Sequence, residues 1–471
     1  MLAVHFTLDS ASQLIYEDIF SFKLTSAKNK AEIASKYDNQ NLAYPFLHLS
    51  ATYLELVNSP TESKIKEYFK EEAIVLKSLE KLDKKEPFKK YAISDIYFHT
   101  AIFKMYQGDY LSAGYLVRKS YKLLKDNKKA HPKFLINNKN YSLIKILVGS
   151  IPKKYRFIET LAGIEGDAEK GVRMLASVAY NKIDPKYRFI QKESKLLYSI
   201  ALFTIKKKKK LSFRIVKMEC ADYKSNIFSN YLYAINAAMQ GKNDLVLSIL
   251  DQKPDNNEVD INYMDFLFGT AKLKKLDYTA IATFKAYLKT ASNSSNKYDA
   301  YLHLYWAYKL KGEEANALSY KNKAEKEKKE RFLKDFDFMP SYYNKDLLKI
   351  RLFYDGGYYD KALFLLKKIN TIDLKTKDLI IEYYYRYGRV LQEKGDYSNA
   401  LIWLEKVMDS GANSKRYFAR KAALESGVIY TALLNTSRAK EMFTKAIDSF
   451  SLSEEYEKSI KQQAKSLRSS L

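Results

Sequence analysis

Two glycines in the C-terminal part of the chain, Gly388 and Gly427, are each followed 12 positions later by an alanine, Ala400 and Ala439. Large residues recur in step around them: Tyr384, Tyr387, Leu391, Leu404 and Val407 about the first pair, Tyr430 and Phe443 about the second, which is followed by the small Ala446. This spacing predicts a helical hairpin. A small residue on each helix lets the two backbones approach, and the large residues fill the space against the neighbouring hairpin. Between the small residues, a Lys394-Gly395-Asp396-Tyr397 turn supplies a left-handed end for one helix and a cap for the next. A chain that repeats such a unit is constrained to a linear array, because each hairpin buries its apolar stripe only against its neighbours.

Weaker copies run upstream. One carries Tyr301, Leu304, Tyr308, Gly312, Ala317 and Ala324, another Met264, Leu267, Ala280, Phe284 and Tyr287, and a third Tyr231, Ala234, Ala238, Gly241, Val246 and Leu250. A degenerate unit holds Gly357, Ala362 and Leu366, and a distant one holds Tyr97, Ala101, Gly108-Asp109-Tyr110 and Ala113. Anchors at 246, 280, 317, 362, 400 and 439 are spaced by 34, 37, 45, 38 and 39 residues. The set resembles the tetratricopeptide repeat, whose period is about 34 residues, with extra residues in most units. The resemblance covers roughly residues 230–450. It implies an all-α solenoid of helix-turn-helix repeats wound into a right-handed superhelix of about ten helix pairs.

The rest of the chain agrees with a helical array. Gly at 15 and Pro at 8 are scarce in a chain of 471 residues, which suits helices joined by short turns. The eight prolines fall at or near expected helix ends. Residues 9–35, 41–57 and 61–83 read as amphipathic helices without the motif. The expected organisation is therefore divergent helical repeats over 1–190, the tetratricopeptide array over 191–450, and a C-terminal capping helix over 451–471 opened by a Ser451-x-x-Glu454 box. Linkers are expected at 251–260 and 291–297, and a charged run over 321–334 reads as a solvated helix. Gly149-Ser150-Ile151-Pro152-Lys153-Lys154 with Gly163, Gly166 and Gly171 is similar to a stretch of a tetratricopeptide family of the mitochondrial outer membrane.

The same residues exclude several functions. Cys220 is the single cysteine, so an intrachain disulfide framework and a cysteine-rich zinc site are excluded. The histidines, His5, His48, His99, His131 and His303, have no partner at metal-ligand spacing. No glycine-rich phosphate loop or activated nucleophile stands out, so neither catalysis nor a cofactor is expected. No stretch reaches the ~20 apolar residues that cross a bilayer. Met1–Ser12 lacks the positive start of a signal peptide. The expected location is the cytoplasm, or the periplasm if the start is misassigned.

The charge of +26 draws a protein toward anionic surfaces. It is carried by 68 Lys and 13 Arg, however, and recognition of phosphate favours the guanidinium fork. The five-lysine run 206–210 reads as a solvated helix end. The first functional reading is thus a protein-interaction scaffold that takes a protein or peptide in its groove. A basic superhelix bound to nucleic acid or an anionic membrane is the alternative.

In the tetratricopeptide family the first helix of each unit lines the concave groove. The resemblance implies that Trp306, Lys309, Arg351, Tyr354, Tyr385, Arg389 and Gln392, joined by Phe98 and Met105 in the N-terminal unit, point into it. Aromatic residues beside arginine are the composition of binding hot spots. The competing reading of a tyrosine stripe at helical spacing is core.

Overall fold

The computed structural model describes residues 3–150, 163–205, 208–255, 261–291, 296–330, 344–414, 416–449, 454–469 and 471. Among them are 23 α-helices and no strand beyond one isolated bridge between His5 and Asn41. They are α1 (Ser10–Phe20), α2 (Leu24–Tyr37), α3 (Ala43–Asn58), α4 (Glu62–Leu79), α5 (Pro87–Tyr106), α6 (Tyr110–Ala130), α7 (Asn137–Gly149) and α8 (Ala168–Tyr180). Next come α9 (Arg188–Thr204), α10 (Lys209–Glu219), α11 (Ile227–Met239), α12 (Asn243–Asp251), α13 (Tyr263–Lys274), α14 (Ala280–Thr290), α15 (Lys297–Lys311) and α16 (Glu314–Glu330). The last are α17 (Lys345–Asp355), α18 (Tyr359–Lys368), α19 (Lys377–Glu393), α20 (Tyr397–Gly411), α21 (Phe418–Ala432), α22 (Thr436–Asp448) and α23 (Glu454–Ser469). Helices α1 to α10 and α13 to α22 pair into consecutive hairpins, and every repeat copy read from the sequence falls on two consecutive helices. The architecture is a succession of helical hairpins. It divides into two compact units, one of residues 1–240 and 248–261, the other of 241–247 and 262–471.

The second unit shows why the glycine-alanine spacing recurs. A Cβ on Gly427 would stand 2.5 Å from the Phe443 ring, and one on Gly388 would stand 2.9 Å from Leu404 Cγ. Gly269 sits in the same way against Phe284, at 2.9 Å, although its spacing to Ala280 differs by one residue and hid it in the sequence. Gly395 has φ +82°, as the turn requires, and Asp396 accepts from the Asn399 amide. The Gly357 turn is tighter: φ is +79°, and a Cβ there would overlap the Gly241 carbonyl oxygen at 2.0 Å. Ala400, Leu404 and Val407 are fully buried behind these contacts.

The first unit uses other devices. The single helix expected over 9–35 is two, α1 and α2. Phe22 adopts φ 57° and Lys23 donates to the Asp18 carbonyl at 2.9 Å, which closes α1 and turns the chain. Phe22 then packs on Phe228 with ring centroids 5.0 Å apart. Gly149 and Gly166 meet backbone to backbone, since a Cβ on Gly166 would lie 2.4 Å from the Gly149 amide nitrogen. This contact seats the start of α8 on the end of α7, and Lys145 Nζ donates to the Glu165 carbonyl at 2.5 Å. The Pro152 part of that stretch lies outside the described residues. So do Lys206 and Lys207 of the lysine run, 331–334 of the charged run, 256–260 and 292–295 of the expected linkers, and Ser451 of the capping box.

Candidate functional site

The seven groove candidates of the second unit lie on the first helices of three hairpins, α15, α17 and α19. Trp306 and Tyr385 are buried, at 5% exposure each. Lys309, Arg351, Tyr354, Arg389 and Gln392 are half-buried. They form two contact groups. In the first, the Arg351 guanidinium lies 5.3 Å over the Trp306 ring, and Arg351 Nε stands 3.7 Å from the Asp355 carboxylate. The Trp306 ring is 4.8 Å from that of His303, and burial, then Lys274 and Arg351, push His303 down to about 3. Lys309 reaches back over Tyr305.

The second group centres on Arg389. Its Nε and Nη2 donate to the Tyr354 hydroxyl at 3.0 and 2.6 Å, and its Nη1 donates to Gln392 Oε1 at 2.7 Å. The same guanidinium pairs with Glu425, which also receives Gln392 Nε2 at 3.0 Å and Lys421 Nζ at 3.0 Å. Burial alone would raise the Glu425 carboxyl. Arg389, Lys421 and Gln392 outweigh it and bring the group down to about 2. Tyr385 packs against Phe418, 5.2 Å between centroids. Next to it, Arg386 donates to Glu382 at 2.9 Å with both side chains buried.

Phe98 and Met105 belong to the first unit, on α5. Phe98 is buried, and Met105 is half-buried one turn before the α5–α6 hairpin bend.

The first unit holds a cavity that the sequence did not indicate. Helices α1, α3, α5, α7, α9 and α11 surround a space of about 250 Å³ with a mainly apolar wall. Phe6, Phe46, Tyr53, Phe88, Tyr91 and Phe228 are among the aromatic residues that line it. Its polar groups are few. Lys139 Nζ donates to both Glu193 oxygens at 3.0 and 2.9 Å, and the Tyr16 hydroxyl of α1 donates to the same carboxylate. Burial would lower the Lys139 ammonium, but Glu193, with Tyr91, Tyr16 and Asp95, holds it well above its ordinary value. Asp95, 5% exposed, accepts from Asn140. Its other oxygen lies 3.6 Å from His99 Nδ1, and the His99 ring stacks on Tyr53 at 4.5 Å.

The aromatic density of α3 and α5 and the Asp95-x3-His99 spacing were visible in the sequence. Lys139 and Glu193 are 54 residues apart and meet only through folding. Among the described residues, no group of three metal-ligating side chains comes together, and no helix is long and apolar enough to cross a membrane. Cys220 is buried, and burial pushes its thiol up to about 12.

No protein-family model and no curated protein matches the chain. Solved structures with which it shares similarity include a human IFIT1 dimer with PPP-AAAA, at 11% identity over 94% of this chain and 95% of that one, TM-score 0.32. The P58(IPK) TPR domain aligns at 11% identity over 98% of each chain, TM-score 0.22. Yeast Tom70 aligns at 11% identity over 98% of this chain and 88% of that one, TM-score 0.26. At these values the likeness carries nothing about partners.

Proposed function

We propose that this chain is a non-enzymatic protein-interaction scaffold whose second unit receives an extended or helical segment of a partner along the first helices of its hairpins. One observation supports this reading over an electrostatic one. Each arginine on that face already faces a carboxylate: Arg351 with Asp355, Arg386 with Glu382, Arg389 with Glu425 and Glu393. Guanidinium groups held this way are poor counterions for a phosphate backbone. They fix tyrosine and amide groups in place instead, and a face of ordered aromatic and amide groups suits a peptide, whose binding draws on few, well-placed anchors. The charge surplus then serves solubility.

The test is capture by the immobilised full chain at about 0.1 and 0.5 M salt, with proteins and nucleic acids both identified. The reading expects a discrete protein, retained at the higher salt and lost in a Tyr354→Ala/Gln392→Ala variant. Nucleic acid released at moderate salt, with the steep slope of counterion release, would replace this reading with the electrostatic one.

A further inference from the structure

The cavity of the first unit is mainly apolar, lined by six helices and partly open, with α1 along one side. Tyr16 donates to Glu193, and Phe20 packs edge-on against Phe228 with centroids 5.2 Å apart. Ile200, 48% exposed, stands at its edge. A cavity of ~150 Å³ lined by aliphatic and aromatic groups admits benzene. By that scale, one of about 250 Å³ admits roughly ten non-hydrogen atoms.

Its charges are unequal. Glu193 takes up Lys139 with both oxygens. Asp95 is the second carboxylate, buried on the wall. Among the described residues its hydrogen bond comes from the neutral Asn140 amide, and its other oxygen is 3.6 Å from His99 Nδ1, beyond hydrogen-bond length. The Lys139 ammonium, which Asp95 helps to hold charged, donates to Glu193, so a cation set directly on Asp95 would add a charge-assisted hydrogen bond. The Tyr53, Tyr91, Phe46 and Phe88 rings line the cavity, and aromatic rings pack an apolar body and attract a cation that lies over a face. A carboxylate ligand would instead add a negative charge beside Asp95.

We propose that this cavity binds a small hydrophobic amine, its protonated nitrogen on Asp95 and its apolar body among the surrounding rings. This site is separate from the partner-binding face of the second unit, and either can fail without the other.

The experiment is isothermal titration of the full chain with three probes of nearly equal size: 2-phenylethylamine, 2-phenylethanol and phenylacetate. The amine is expected to bind at least tenfold more tightly than the alcohol, with no measurable binding of the acid. Asp95→Asn should bring the amine down to the level of the alcohol, and Leu54→Trp, which fills the wall, should abolish both. Circular dichroism checks that each variant is folded, and the probe series on the unaltered chain is decisive even if a variant is not. Equal binding of amine and alcohol, preference for the acid, no binding at millimolar concentration, or amine binding untouched by Leu54→Trp would each overturn the proposal.

Discussion

The two units use one hairpin for different ends. In the first, the inward helices carry Phe, Tyr and Leu, leave a space between them, and commit one buried ammonium to one carboxylate. In the second, the corresponding helices carry guanidinium groups, carboxylates and tyrosine hydroxyls that satisfy one another along the face. The hairpin contacts differ too. Gly388 and Gly427 seat a side chain of the paired helix in the second unit, whereas Gly149 and Gly166 of the first bring backbone against backbone; a Cβ on the turn glycines Gly108 and Gly395 would meet nothing within 4 Å in either. The backbone repeat therefore sets how helices stack, and the residues on the first helices set what each stretch can bind.

The largest expected effect comes from the charges. Glu382→Gln leaves the Arg386 guanidinium buried without its carboxylate and should cost about 3–5 kcal/mol in chemical denaturation. Glu193→Gln in the first unit should cost less, because Glu193 is 24% exposed where Glu382 is fully buried. Equal losses would remove the contrast.

Next is the packing of the hairpins. Gly427→Ala drives a methyl into the Phe443 ring and should cost about 3 kcal/mol. Gly108→Ala meets open space and should cost about 1 kcal/mol, the strain of a left-handed backbone at φ +83°. Thermal or denaturant melts of the two variants check the ranking.

A third contrast lies in two histidines with opposite pH dependence. His303 in the second unit is held near 3, below its ordinary 6.5, by burial and by Lys274 and Arg351. Its folded state binds fewer protons than the unfolded state, so its contribution is present above pH 6.5 and is lost as pH falls toward 3. Between pH 7 and 5 that loss is about 2 kcal/mol. For His48 in the first unit, burial pulls down, but Glu71, 2.6 Å away, and Glu32 raise it above 6.5. Its contribution is present below pH 6.5 and fades as pH rises through the folded value. The melting-temperature difference between the unaltered chain and His303→Gln should therefore shrink on acidification, and that for His48→Gln should grow. The same slope for both would contradict the two environments.

The smallest effect is Tyr354→Phe. It removes the hydroxyl that accepts from Arg389 and should cost about 1 kcal/mol, with the guanidinium still held by Gln392 and Glu425.

Much of the fold was legible because it rests on local spacing. Gly388 with Ala400 and Gly427 with Ala439 mark hairpins at a fixed distance, and the Gly395 turn and Asp396 cap follow from neighbouring residues. Gly269 went unread because one residue separates it from the shared spacing, although it meets Phe284 as Gly427 meets Phe443. The break at Phe22 went unread because a left-handed phenylalanine is set by tertiary packing on Phe228, not by propensity. The groove candidates were found as positions, but not their pairing: Arg389 and Glu425 are on different hairpins, and nothing local joins them. The cavity was invisible because empty space among helices α1 to α11 has no sequence signature.

The most direct test of the scaffold account is site-specific photocrosslinking in lysate of the source organism. A benzophenone side chain is placed at Tyr354 or Gln392 on the proposed face, and at Phe364, 57% exposed on the second helix of the Tyr354 hairpin, as the comparison. The account predicts one discrete protein adduct from both face positions, persisting at about 0.5 M salt and absent from Phe364. Adducts equally strong from Phe364, or nucleic acid as the adduct from Tyr354, would contradict it.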